Sequence, residues 1–153
     1  MYKSKFIPIV VCTILFTGCA SVSMESPTKN AQAKSFTSPP SDKAGLYIYR
    51  DGLFGAALKK DIWVNKECIG ESAPSVFFYK ELPGDRDYSV STESEFSPNA
   101  LMVHMEAGKN YFIRQFIKLG LFVGGAGLET VSRDTGKQAI AKLDLAQNGN
   151  CSK

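Results

Sequence analysis

One histidine, one tryptophan and nearly balanced charge narrow what this chain can do before any motif is sought. His104 is the one imidazole, so a hydrolase triad has a single conventional base to draw on, and no Gly-x-Ser-x-Gly elbow accompanies it. No apolar run approaches the roughly 20 residues that a membrane-spanning helix needs. Eighteen basic residues stand against 15 acidic ones, without the concentrated basic stripe that nucleic acid requires, which excludes nucleic acid as a partner. Cysteine is scarce as well: there are four, and two of them, Cys12 and Cys19, fall within the first nineteen residues.

What is present begins at the N-terminus. Lys3 and Lys5 are followed by an apolar run from Phe6 to Phe16, broken only by Pro8 and Thr13, and then by Leu15-Phe16-Thr17-Gly18-Cys19. A positive region, a short apolar region and small residues before the cut have the three-zone layout of an export signal. The final stretch resembles the lipobox of bacterial lipoproteins. Gly18 and Cys19 match it and Thr17 is acceptable, whereas Phe16 replaces the usual aliphatic residue. The resemblance implies cleavage between Gly18 and Cys19, acylation of the Cys19 thiol and membrane lipid as the first partner. An ordinary secretory signal or an uncleaved anchor is the competing reading. Ala20 and Ser21 lack the aspartate that commonly retains lipoproteins in the inner membrane, so the expected address is the outer membrane, facing the periplasm. Removing residues 1–18 leaves 135 residues, enough for one domain with a core. It also removes two lysines, so that 16 basic residues face 15 acidic ones, a formal net charge of +1.

Of the remaining cysteines, Cys68 and Cys151 can form a disulfide in the periplasm. The alternative is a small strand residue at Cys68 and a frayed end at Cys151. Residues 19–44 read as the lipidated cysteine and a flexible linker. Ser, Thr, Pro, Lys, Ala and Asn dominate, Pro39-Pro40 blocks helix, and only Val22, Met24 and Phe36 are sizeable apolar groups. A coil of about 25 residues reaches on the order of 25–30 Å, which would hold the domain clear of the lipid headgroups.

Residues 45–131 change character. Leu46-Tyr47-Ile48-Tyr49, Ile62-Trp63-Val64, Cys68-Ile69-Gly70, Val76-Phe77-Phe78-Tyr79, Tyr88 to Thr92, Leu101 to Met105 and Tyr111 to Ile117 read as short strands. Turn residues separate them, notably Asn65-Lys66-Glu67 and Pro83-Gly84-Asp85. The fold class is mainly β, a small sandwich or partly open barrel. A C-terminal helix is expected over residues 132–147, capped by Ser132 with Asp134 in its first turn and striped by Ala139, Ile140, Leu143 and Leu145. Residues 148–153 read as a tail.

The run Asp61-Ile-Trp-Val-Asn-Lys-Glu-Cys-Ile-Gly-Glu-Ser-Ala-Pro74, with Phe77-Phe-Tyr79, Leu82-Pro-Gly84 and Tyr88-Ser-Val-Ser91, is similar to a bacterial lipoprotein family catalogued as domain of unknown function 2846. Ala107-Gly-Lys-Asn-Tyr-Phe-Ile-Arg-Gln115 and Val123-Gly-Gly-Ala126 look like the same family. The order of strand, tight turn, Ile-Gly and Pro-Gly turn also resembles PEGA-like repeats. These likenesses imply a small β-sandwich of immunoglobulin or transthyretin type and add no catalytic residues.

Few residues suggest chemistry. Met102 and His104 share one face of a strand and are weak candidates for a soft metal, a surface histidine being the ordinary reading. Glu93 with Glu95, and Asp85 with Asp87, are carboxylate pairs of the kind glycosidases use, although solvated acidic loops are commoner. Gly120, Gly124, Gly125 and Gly127 lack the ending of a P-loop and read as a bend or bulge. The run Leu119 to Leu128 is either buried or a partner contact. Adjacent aromatics in one strand point to opposite faces, so some of Tyr47, Ile48 and Tyr49, and some of Phe77, Phe78 and Tyr79, lie on an outer face or under another element, with the choice of face open. No cofactor and no enzymatic activity are expected. The expected role is binding or supporting an envelope component, protein or glycan, with a small-ligand or metal-binding periplasmic sensor as the alternative.

Overall fold

In chain order the described residues form α1 (Pro27–Ala33), β1 (Lys43–Arg50), β2 (Lys60–Val64), β3 (Glu67–Ser72), β4 (Val76–Pro83), β5 (Arg86–Thr92), β6 (Asn99–Met105), β7 (Asn110–Lys118), β8 (Gly125–Val131), α2 (Arg133–Ile140) and β9 (Asp144–Leu145). The computed structural model describes residues 20–95, 99–121 and 124–152. Turn chemistry sets several strand boundaries. Asn65 and Lys66 take φ of 48° and 69°, the left-handed pair that suits a two-residue hairpin, and they join β2 to β3. Pro83 ends β4, and Asp85, at φ 54°, redirects the chain into β5.

The strands make a β-sandwich. One sheet has the order β8-β7-β1-β4-β9 and the other β3-β2-β5-β6. Most pairs are antiparallel, but β1 runs parallel to β7 and β4 parallel to β9. Alternation sends Leu46, Ile48, Phe78 and Ile113 inward from the first sheet, against Ile62, Ile69, Val90 and Met105 of the second. Full burial of such a side chain contributes about 1.5–3 kcal/mol, so this interior is the main apolar term.

A second core lies on the outer face of the five-stranded sheet. Tyr47, Tyr49, Phe77 and Phe112 pack there beneath Ala33 of α1, Ile140 of α2, and Leu143 and Leu145. Tyr47 stacks on Phe112 with ring centroids 5.0 Å apart and planes 8° off parallel, the kind of aromatic pair that adds to simple area burial. The outward-facing aromatics are therefore covered by the chain itself.

Two expectations need correction and two open alternatives are resolved. Residues 20–44 are not a free linker: they hold α1, a bridge from Met24 to Ala146, and the hydrogen bond from Glu25 N to Leu145 O (2.8 Å). The second helix is capped by Ser132 as expected but ends at Ile140. Leu143 and Leu145 are buried beyond it, and Leu145 belongs to β9, because i, i+2 spacing serves a strand as well as i, i+4 serves a helix. The tail is not frayed. Cys151 is bonded to Cys68, while Gly149 N donates to Ile69 O (2.8 Å) and Glu71 N to Asn150 O (2.7 Å). Finally, Leu119–Leu128 divides: Leu119 and Leu121 are exposed, Ala126 is buried, and residues 122–123 lie outside the described residues.

The disulfide joins cysteines 83 residues apart. In the chain-entropy picture, its removal by Cys68→Ala with Cys151→Ala lowers the unfolding free energy by roughly 2–5 kcal/mol, which urea titration would measure. Gly136 of α2 sits so close to Phe112 that an added Cβ would stand 2.5 Å from the ring. Gly136→Ala, normally favourable in a helix, is expected to destabilise by about 1–3 kcal/mol through this overpacking. A rise in the thermal midpoint would refute that expectation.

Candidate functional site

The N-terminal segment docks through local chemistry. Ser26 Oγ accepts from Lys29 N at 3.4 Å, and Pro27 occupies the first turn, where its missing N–H costs nothing. The helix then lies beside β9: Asn30 Nδ2 donates to Asp144 Oδ1 (2.9 Å), and Leu145 N donates to Asn30 Oδ1 (3.1 Å). At its end, the Tyr47 hydroxyl donates to Ala33 O at 2.9 Å. Between α1 and β4 the surface opens into a cleft of about 450 Å³. Half-buried Tyr79 lines it above Tyr47, which is itself buried (ring centroids 4.5 Å apart), and Gln32, Thr37, Glu81 and Asn148 contribute polar walls.

The electrostatics favour neutral phenols. Burial, reinforced by the charge of Glu81 and by a hydrogen bond to it, pushes the Tyr79 hydroxyl up to about 12. Its O–H donates to Glu81 Oε1 at 3.2 Å. Tyr47 is also raised, first by burial and then by Tyr79 and Glu81. Lys29 forms a 3.0 Å ion pair with Glu25 at the rim. The cleft thus offers an aromatic base, hydroxyl and amide hydrogen-bonding groups, and one cation with its counterion. That chemistry suits a ligand with both an apolar face and hydroxyl or amide groups.

The residues singled out from sequence do not converge on this cleft. Gly18 and Cys19 lie outside the described residues. Ala20, the next in the chain, donates its N–H to Ala56 O at 3.0 Å. Cys68 and Cys151 form their bond on the other sheet, at β3. Met102 and His104 are exposed on β6, also in the other sheet, and His104 Nδ1 lies 2.8 Å from Asp87 Oδ1. Among the described residues, no group of three or more His, Cys, Asp or Glu side chains is placed to hold a metal ion. Asp85 Oδ1 accepts from Ala107 N (3.1 Å), and Glu95 Oε2 accepts from Leu121 N (2.7 Å). Both carboxylates therefore tie loops together.

Sequence reasoning missed a buried polar chain at one end of the sandwich. Ser72 donates to Gln115 Oε1, Gln115 Nε2 to Thr92 Oγ1 (2.7 Å), and Thr92 Oγ1 to Asp61 O (2.9 Å). Asp61 itself accepts from Ser152 N and Oγ at 3.0 Å, and its own N–H donates to Glu93 Oε2 at 3.3 Å. Buried polar atoms must be satisfied in this way. The chain links β2, β3, β5 and β7 to the C-terminal segment.

The family model described as Protein of unknown function (DUF2846) matches residues 40–126. The chain belongs to this family. A Haemophilus influenzae relative carrying the description "Uncharacterized protein" is 51% identical over 138 residues, 90% of this chain and 82% of its own. A match of that extent runs past the family's span and takes in the segment that carries α1. No solved structure matches the chain.

The raised Tyr79 hydroxyl has a consequence for stability. Its ordinary value is 10.0 and its folded value about 12, so the folded state holds the proton longer. Stability from this group is complete below pH 10 and is lost as pH rises toward about 12. Tyr79→Phe is therefore expected to flatten the fall in urea midpoint between pH 9 and pH 12. An unchanged slope would reject the assignment.

Proposed function

We propose that the protein is a periplasm-facing lipoprotein that binds an envelope glycan in the cleft between α1 and β4. Cleavage after Gly18 frees the Cys19 amino group, and acylation of its thiol tethers the chain to the outer membrane. The export layout of residues 1–19 supports the tether, and two or three acyl chains at about 0.8 kcal/mol per buried methylene make it stable. The observation that carries the binding reading is the half-buried Tyr79 ring, backed by the buried Tyr47, beside hydroxyl, amide and carboxylate groups of the cleft. Sugars present apolar C–H faces alternating with hydroxyls, and a half-buried tyrosine whose hydroxyl is held by Glu81 matches both.

Intact mass and detergent partitioning of the membrane-purified protein test the anchor. Wild type is expected to carry acyl mass that Cys19→Ala lacks, and equal masses would remove the lipoprotein reading. Co-sedimentation of the acylated protein, in detergent, with purified peptidoglycan sacculi tests the ligand. Tyr79→Ala should weaken retention about tenfold or more, equivalent to roughly 1.4 kcal/mol. Retention unaffected by that change, or absent in wild type, would remove the glycan reading.

A further inference from the structure

Six large apolar side chains are exposed among the described residues, and four of them sit at one end of the sandwich. Leu53 and Phe54, 73% and 59% exposed, lie in the loop between β1 and β2. Leu119 and Leu121, 85% and 82% exposed, follow β7. The two loops adjoin. A Cβ added at Gly55 would stand 2.9 Å from Ile117 Cγ2, and one added at Gly124 would stand 2.6 Å from Leu58 Cδ1.

These loops are held from within. Arg50 is buried at the end of β1, where Nη1 donates to Leu58 O and Nη2 to Gly55 O, both at 2.7 Å. Leu121 N is tied to Glu95 Oε2. The loops are thus tied at Gly55, Leu58 and Leu121, while the four apolar side chains are exposed and belong to neither core. Clustered exposed apolar groups of this kind mark a contact surface.

The path of the chain identifies the occupant. Ala20 N donates to Ala56 O, in the same loop as Leu53 and Phe54. Cys19 directly precedes Ala20 in the sequence. We propose that this end of the sandwich is a membrane-contact surface, with Leu53, Phe54, Leu119 and Leu121 entering the boundary between phospholipid headgroups and acyl chains. The inference rests on acylation of Cys19, which roots the lipid within one residue of the apolar loops. Lys118, exposed beside Leu119, is placed to reach lipid phosphate while its stem lies along apolar surface.

Hydrogen exchange of the full-length acylated protein in phosphatidylethanolamine–phosphatidylglycerol vesicles tests this, with the same acylated protein in detergent micelles and the unacylated Cys19→Ala protein as references. Peptides covering residues 51–58 and 119–121 should exchange several-fold more slowly on the vesicles, while peptides from α1 and β6 should not change. The acylated variant L53S/F54S/L119S/L121S should stay on the vesicles and lose the protection. Acyl mass on vesicle-bound wild type without loop protection would overturn the contact surface and leave the anchor standing. Absence of acyl mass would remove the anchor and this inference together. Equal, concentration-dependent protection of the unacylated protein without vesicles would assign the patch to a second copy of the chain and overturn the bilayer as its occupant.

Discussion

The structure depends on the burial of β1 from both sides. From Ala44 to Arg50 every residue of that strand is buried, so Leu46 and Ile48 face the sandwich interior while Tyr47 and Tyr49 face outward beneath something else. A two-layer sandwich cannot supply that outer cover. The chain supplies it from its ends: α1 and Phe36 from the N-terminal side, α2 with Leu143 and Leu145 from the C-terminal side. Ordering the N-terminal segment costs about 1–2 kcal/mol per residue in backbone entropy. The outer aromatic core offsets this, because Tyr47, Phe77 and Phe112 would otherwise present a large apolar face to water.

Covering β1 also changes what the N-terminal segment does. A free coil would let the domain wander on its tether, whereas the observed segment is clamped at Ala20, Met24, Glu25 and Asn30. An anchor placed before such a segment transmits orientation as well as location. The same docking creates the cleft, since α1 forms one wall and β4 the other. Burial of the outer sheet face, the docked N-terminal segment and the candidate cleft are three consequences of one packing requirement.

The strands were legible because two local signals agreed. Period-two alternation placed Leu101, Val103 and Met105 opposite Met102 and His104, and turns such as Asn65-Lys66 and Pro83-Gly84-Asp85 marked where strands stop. The cap at Ser132 was legible for the same reason, as a side-chain acceptor preceding an acidic first turn. The linker was misread because composition averages over a segment. Its polarity is real, but Ser26-Pro27 is a helix start, and Ala33 and Phe36 are enough to cover aromatics that other strands provide. No local pattern reveals that need: it exists only once Tyr47, Phe77 and Phe112 are brought side by side. The cleft was hidden for the same reason, since Tyr79 and Glu81 meet α1 across about fifty residues of chain. The bond between Cys68 and Cys151 was readable as an option, and only the tail's pairing with Ile69 and Glu71 shows why those two meet.

The register of β4 relates the two surfaces to one another. Val76 pairs with Arg50 at the end that carries the apolar loops, and Glu81 pairs with Gly45 toward the other end. Glu81 lies five residue steps along the strand from Val76, roughly 17 Å at 3.3–3.4 Å per residue. Were Leu53, Phe54, Leu119 and Leu121 to lie at a bilayer as proposed, Glu81 would stand about that far above them, beyond the apolar contact. A domain on a loose coil would spread its cleft over every height and angle. Here the Ala20–Ala56 bond and the Arg50 clamp hold the N-terminal segment and the apolar loop between β1 and β2 at one end of the sheet, and under the proposed anchoring that sheet's register would set the height at which a ligand is met.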